Sequence, residues 1–539
     1  MSGTSSTARR RTRRIVASIL VMLATMLAGL GLLGLTSAPA SAVPVHATLL
    51  TTSPADGSIV ATAPEDVVLS FDDVVTVSPD SIEVFSPTGH QVQDPPATTG
   101  TSDSVAEVGL RSGLGRGTYT VSWQVVSDDS HPVSGTFAFS VGAPSRSLMP
   151  AGVGLIYRSP AVIGVAFGVA RWLGFVAFAV LIGGVAFILI GWPAGTRDPV
   201  ANRLLTASVV ALAGATLAEL ALQGPYTATN GKSLFSLGML RAVLVSRFGH
   251  ALELRLILLA AVTIAIAYVW PSLDGHTRTG TAAAPAVRPG AVLAWAVSSA
   301  GLAATWSTAD HAAVGAEIGL SIAADIAHLV SMAAWTGGLM MLSGVLLRQR
   351  SVRAHAEHTW SRTAVTAVRR FSALAMIAVI VLVISGVYEA WRNVGGYGTL
   401  VHTSYGHILL FKSAGLALLV FLGYLARTRI RRLTPMPEAS RRVPVQPARV
   451  RVLADGSLGA AESREEPPGV RAPASNVTIL RRLRISVLAE IAIVLIVLAL
   501  SAVLVEMPTG REAAHSISRQ ATSGAPDFGR LTHVRQELK

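Results

Sequence analysis

Two periodicities divide the chain. Between residues 43 and 142, apolar and polar positions alternate with period two. The segments are Val67-Val68-Leu69-Ser70-Phe71, Ile82-Glu83-Val84-Phe85, Val105-Ala106-Glu107-Val108-Gly109-Leu110, Thr118 to Val125 and Thr136 to Val141. Alternation of this kind turns one face of each strand toward a core. Pro, Gly, Asp and Ser separate the segments at the spacing of a small all-β sandwich. Trp123 falls among the core positions, and His90 in Thr88-Gly89-His90 falls at a hairpin turn. From 161 to 506 the polar positions thin out into eight apolar runs: 164–192, 204–224, 254–272, 291–309, 319–347, 371–391, 406–426 and 484–506. Each approaches or exceeds the roughly 20 residues that a helix needs to cross a bilayer. The predicted fold class is an all-β sandwich followed by an all-α polytopic membrane domain of about eight transmembrane helices.

The segments outside these two patterns read as delivery and connection. Residues 1–42 carry Arg9, Arg10, Arg11, Arg13 and Arg14, an apolar run from Ile15 to about Leu35, and Ala40-Ser41-Ala42. That is the order of a secretory signal peptide, with an uncleaved anchor as the alternative. Residues 143–160 form a linker. The loop 427–483 is predicted to be partly disordered, and the tail 507–539 disordered. Residues 225–253, with Phe235, Leu237, Leu240 and Leu244, predict an amphipathic surface helix.

Composition sharpens this picture. The chain is 51% hydrophobic and 14% charged, a membrane composition. Its net charge of +13 need not imply nucleic acid, because the arginines cluster between apolar runs. Arg348, Arg350, Arg353, Arg362, Arg369 and Arg370 lie between runs five and six. Arg427, Arg429, Arg431, Arg432, Arg481, Arg482 and Arg484 lie between runs seven and eight. With the sandwich on the exterior of a plasma membrane, both clusters fall on the cytoplasmic side, and the even run count returns the C-terminal tail to the exterior. The 539 residues contain no cysteine, which excludes disulfides, zinc fingers and Cys-x-x-Cys metal chaperones. No Gly-x-x-x-x-Gly-Lys-[Ser/Thr] phosphate loop is present.

The candidate chemistry is metal binding. Asp129 and His131 share one turn, and His46 lies just past the signal region. Imidazole nitrogen with carboxylate oxygen suits Cu(II). The alternative is an ordinary Asx turn. No methionine occurs between Val43 and Gly142, so a thioether site for Cu(I) is not expected there. In run five, Asp325, His328, Met332 and Trp335 fall within roughly an 80° arc of one helical face at about 100° per residue. Ionisable residues inside a span are functional candidates by default; a buried polar contact with Met and Trp as packing is the alternative. Asp310 and His311, at the outer end of run four, are candidates for the mouth of the same path. His250, Glu389, His402 and His407 also gather on the outer side. Glu219 and Glu490 are further intramembrane carboxylates that an arginine could pair instead.

Several motifs carry a resemblance. Val45-His46-Ala47-Thr48-Leu49, Ser53-Pro54-Ala55-Asp56-Gly57, Ala63 to Phe71, Gly117 to Trp123 and Asp129-Ser130-His131-Pro132-Val133-Ser134-Gly135 resemble the copper resistance family CopC across nearly all of 46–142. The resemblance implies a Greek-key sandwich that binds Cu(II) through His46, Asp129 and His131. In that family the first histidine is usually the mature N-terminus and chelates with its amine. Here cleavage after Ala42 leaves Val43-Pro44-Val45 ahead of His46, which removes the amine, and Pro44 has no N–H to replace it. Asp325-Ile326-Ala327-His328, Ala334 to Leu339, Thr403 to Gly406, Leu410-Phe411-Lys412 and Val487 to Glu490 are similar to CopD, the membrane partner of CopC. The order of the two segments resembles the fused form of the pair.

The resemblance implies copper capture as Cu(II) outside the plasma membrane and transport of Cu(I) or Cu(II) across it, usually inward. The alternatives are a membrane-anchored sequestering tolerance protein, a haem-binding membrane oxidoreductase, and an interaction module on a membrane scaffold. No catalytic residues are assigned. The expected partners are the copper ion, the lipid bilayer, and an extracellular copper carrier or reductase, with no nucleic acid.

Overall fold

In the computed structural model the described residues are 47–145, apart from 79, 95 and 128–130, then 161–227, 237–274, 289–313, 317–345, 354–430 and 474–511. The signal region, His46, Asp129, most of the linker, residues 431–473 of the loop and the tail beyond 511 lie outside them.

Nine strands follow the alternation: β1 (Leu49–Ser53), β2 (Ile59–Val60), β3 (Asp66–Phe71), β4 (Val75–Thr76), β5 (Ile82–Phe85), β6 (Thr98–Thr99), β7 (Val105–Gly109), β8 (Gly117–Ser127) and β9 (Pro132–Val141). One sheet runs β1-β3-β7-β6; the other runs β2-β9-β8-β4, with β5 also on β8. The chain leaves the first sheet after β1 and returns beside it as β3. That crossed connectivity separates the expected sandwich from a meander. Val67, Leu69, Val84, Ala106 and Val121 are fully buried between the sheets, and Trp123 meets Phe71 edge-on at 5.4 Å. Aromatic edge contacts of this kind add to the area that Trp buries. The turn before His90 forms as expected, with Gly89 at φ +82° and the Ser86 amide bonded to the His90 carbonyl.

The apolar runs fold as helices: α1 (Ala161–Ala186, continuing as a π-turn to Gly191), α2 (Pro199–Thr227), α3 (Leu237–Val245), α4 (Arg247–Asp274), α5 (Pro289–Ser307), α6 (Ile318–Gly344), α7 (Ala354–Val394), α8 (Tyr397–His402), α9 (Ser404–Ile430) and α10 (Ala474–Val505). Among the described residues, seven helices are long and apolar enough to cross a membrane. The remaining predicted run, 291–309, is α5, whose Ser, Thr, Gly and Trp residues lower its hydropathy. Its 19 residues still traverse about 28 Å at the usual helical rise. Arg247, at the start of α4, donates to the Thr308 carbonyl just past α5 (3.2 Å), so the two helices run antiparallel over the same thickness. Part of the predicted surface helix appears as α3.

Helices α1 and α6 meet backbone to backbone. A Cβ on Gly337 would lie 1.7 Å from the Ala179 carbonyl oxygen, and one on Gly183 would lie 2.0 Å from that of Ala333. Small residues permit this approach where lipid offers no hydrophobic drive for helix association. The contact fixes α6, the helix that carries most of the candidate path.

The sandwich rests on the ends of the bundle. Gln124 Nε2 donates to the Thr227 carbonyl at the end of α2 (2.8 Å), and His131 Nε2 donates to the Val505 carbonyl at the end of α10 (2.8 Å). The segments joining α6 to α7 and α9 to α10, which carry the arginine clusters, leave from the other ends of the helices.

Candidate functional site

The upper candidate site is anchored by its flanks. Ala47, directly after His46, donates its amide to Ser127 Oγ (2.9 Å), and the Ser127 amide donates to the His131 carbonyl (2.9 Å). Ser127 immediately precedes Asp128-Asp129-Ser130 in the chain. Antiparallel pairing of β8 with β9 runs through Val126 and Pro132, and Ala47, Ser127 and His131 are all buried. A carbonyl can only accept, so the bond to Val505 places a proton on His131 Nε2 and makes Nδ1 the acceptor nitrogen of the neutral ring. An imidazole whose far nitrogen is tied to a carbonyl is oriented in the way metal-binding histidines usually are.

The lower candidate site is a cavity of ≈ 210 Å³ inside the bundle. Its polar lining comes from four helices: Asp325 and His328 on α6, Glu389, Arg392 and Asn393 on α7, Lys412 and Ser413 on α9, and Ser501 on α10. Met332 adds a thioether, and Asp310 lies at the α5–α6 connection. The expected i, i+3, i+7 face of α6 is thus the face that lines the cavity, as far as Met332. Trp335 is buried in the helical core and does not line it.

His328 is set by its neighbours on α7. Nδ1 lies 3.1 Å from Ser385 Oγ and 3.7 Å from Glu389 Oε1. A Cβ on Gly386 would sit 3.1 Å from His328 Cε1, so glycine leaves the room that the imidazole occupies. Met332 is held where the Thr336 hydroxyl donates to its carbonyl (2.8 Å) and touches its sulfur (3.6 Å). Glu389 Oε1 and Asn393 Oδ1 are buried without a hydrogen-bond partner among the described residues.

At the sandwich end of the cavity, Arg171 on α1 pairs with Asp310 (3.4 Å) and with Glu506 just past α10 (3.0 Å). Leu504 and Val505 line the cavity from α10, so the residue that His131 contacts is also a wall of the cavity.

The other candidates lie elsewhere. The side chain of His311 is not among those described. His407 bonds the Val401 carbonyl at the exposed start of α9, His250 is exposed, and neither these nor His402 line the cavity. Glu219 pairs with Arg255 at 3.2 Å, with both side chains 1% exposed. Glu490 is buried near Ser486, away from the cavity. No group of three or more His, Asp or Glu side chains sits at metal-binding geometry among the described residues. Sequence reasoning quoted Lys412 only as part of a family motif, without a role, and did not single out Ser385, Asn393, Arg171 or Glu506. A lysine within run seven and an arginine within run one are charges inside apolar spans, and that signal was available for both.

Fold and cavity together define a multi-pass membrane protein with a β-sandwich seated on the ends of its helices. The CopC domain family matches residues 49–142, and the copper resistance protein D family, CopD, matches 365–504. Over 389 residues the chain is 28% identical to the copper transport protein CutJ of Bacillus subtilis (strain 168), covering 70% of this chain and 67% of that one. It is 32% identical over 134 residues to copper resistance protein C of Xanthomonas campestris pv. juglandis, covering 24% of this chain and 96% of that protein. It is also 30% identical over 257 residues to the inner membrane protein YebZ of Escherichia coli (strain K12), covering 46% of this chain and 80% of YebZ. The chain belongs to the CopC/CopD copper resistance family and carries both domains in one polypeptide.

Proposed function

We propose that this protein captures copper on its sandwich outside the plasma membrane and passes it through the bundle, inward. His46, Asp129 and His131 hold Cu(II) at the upper site. Asp325, His328 and Met332 carry copper through the cavity, with Asp310 and His311 at its mouth. The imidazole and thioether suit Cu(I), and the carboxylate suits Cu(II). An extracellular carrier or reductase supplies the ion in the transported state.

The observation that carries this reading is the bond from His131 to Val505, because Val505 also lines the cavity. One residue of α10 therefore touches a candidate capture ligand and walls the candidate path. A sandwich merely anchored by its helices needs neither that contact nor a cavity with acidic, imidazole and thioether groups. The arginine clusters on the opposite face support an exterior sandwich. A haem site would need histidines facing each other across helices. Among the described residues His328 faces Ser385, Gly386 and Glu389 instead.

The test is copper accumulation by cells whose only high-affinity uptake is the full-length protein. His328→Ala is expected to lower uptake by about tenfold or more, the scale for loss of a positioned site group, while surface-bound Cu(II) stays at the parent level. Accumulation equal to the parent's would leave the helices as an anchor and the protein as a sequestering one.

A further inference from the structure

Lys412 stands out from the other charged groups of the bundle. It occupies the third turn of α9, within a membrane-spanning helix, where an ammonium ion is costly unless compensated. Its electrostatic partners are Glu389 on α7 and Asp325 on α6, and all three line the same cavity. Yet among the described residues Lys412 makes no hydrogen bond and no ion pair within 4 Å. It is drawn toward two carboxylates on two helices and closes on neither.

The acceptors are equally incomplete. Glu389 Oε1 and Asn393 Oδ1 are buried and lack hydrogen-bond partners, although both residues line the cavity. Unmet acceptors in the same cavity as an unclosed ammonium describe a cation position that a tethered cation covers only in part. The formal charges of the lining, apart from Asp310 with its Arg171 partner, balance: Asp325 and Glu389 against Arg392 and Lys412. A metal ion entering this low-dielectric space adds uncompensated charge unless a positive group moves away. Arg392 also has Tyr388 and Glu317 as electrostatic partners, with Arg511 opposing them. Lys412 has no comparable hold, and its flexible four-carbon stem lets the amine end swing.

We propose that Lys412 is the built-in counter-cation of the cavity: its ammonium balances Glu389 and Asp325 when the path is empty, and the transported cation enters by displacing it. This rests on the copper-path reading above. Lys412 is a positioning and release residue. When it swings back it competes with the metal for the same carboxylates, which limits retention and lets the ion move on.

The experiment uses the full chain, carrying His131→Ala so that bound metal reports on the cavity. The protein is reconstituted in phosphatidylethanolamine–phosphatidylglycerol vesicles and supplied with Cu(I) from a chelator buffer. Lys412→Leu, which removes the charge without adding a metal ligand, is expected to bind copper about tenfold tighter, roughly 1.4 kcal/mol, and to release it into the lumen about tenfold more slowly. Lys412→Arg is expected to bind copper no more tightly than the parent, since it returns the charge on a group that is harder to displace. With Lys412→Ala, added ethylammonium is expected to weaken copper binding again, which a purely structural role does not predict. The alanine variant also serves if the leucine variant fails to fold. If copper binds these variants no more tightly than the parent while His328→Ala abolishes binding, the counter-cation is refuted and the copper path stands. If His328→Ala also leaves binding and uptake unchanged, the copper path falls and the counter-cation with it.

Discussion

Two of the buried charge clusters in the bundle look alike in sequence and differ in construction. In the first, Arg255 on α4 reaches Glu219 on α2 (3.2 Å) and Thr305 on α5 (2.9 Å), and its guanidinium lies 3.6 Å over the Trp306 ring. One carboxylate oxygen of Glu219 remains without a hydrogen bond, packed beside Gly174. The guanidinium itself is enclosed on three sides. In the second, Lys412, Glu389, Asp325 and His328 surround open space and leave acceptors unmet. Planar, multidentate arginine suits a fixed joint, and flexible lysine suits a position that must empty. Charge in a membrane span is therefore not one signal. Enclosed, it joins helices; beside a cavity, it is a candidate for the proposed path.

The sharpest way to break this contrast is to open the enclosed pair. Arg255→Met strands Glu219 in the core and is expected to cost about 3–5 kcal/mol. Thermal unfolding in detergent should show a large fall in midpoint. Combining it with Glu219→Leu should recover much of the loss, since a buried pair is often replaceable by apolar packing. If Arg255→Met unfolds at the parent's temperature, the distinction between joint and path has no energetic basis.

A milder change sharpens the other side. Gly386→Ala places a methyl 3.1 Å from His328 Cε1 and forces the imidazole to shift by a few tenths of an ångström. Copper uptake should fall by roughly three- to tenfold, because small misplacements at a site are expensive. The unfolding midpoint should barely move. A fall in stability as large as that of Arg255→Met would place His328 among the structural joints.

The smallest effect on uptake is expected at the domain contact. His131→Ala removes one hydrogen bond to Val505, about 1 kcal/mol. Its effect on uptake should appear at limiting copper, where capture matters, and fade at saturating copper. Equal loss at every copper concentration would instead make His131 part of the path.

Much of this was legible in sequence because it depends on local periodicity. The five alternating segments became β3, β5, β7, β8 and β9 with ends shifted by only a few residues. The apolar runs became helices, and the i, i+3, i+7 face of α6 turned toward the cavity through Met332. Lys412 was given no role, and Ser385 was not singled out, because their importance depends on what faces them. That is set by the rotation of α7 and α9 about their own axes, which no single run encodes. The link from His131 to Val505 spans 374 positions and exists only once the sandwich sits on the bundle.

Sequence by itself determined two domains, their order, and which residues could bind a metal or titrate inside the membrane. Those properties follow from hydropathy and side-chain chemistry, which travel with each residue wherever it is placed. Tertiary structure decided which charges are enclosed and which stand open. It also decided that His131 of the sandwich contacts Val505, a residue in the wall of the cavity. Both depend on side chains from helices far apart in the chain meeting within a few ångströms, and helix packing alone settles those distances.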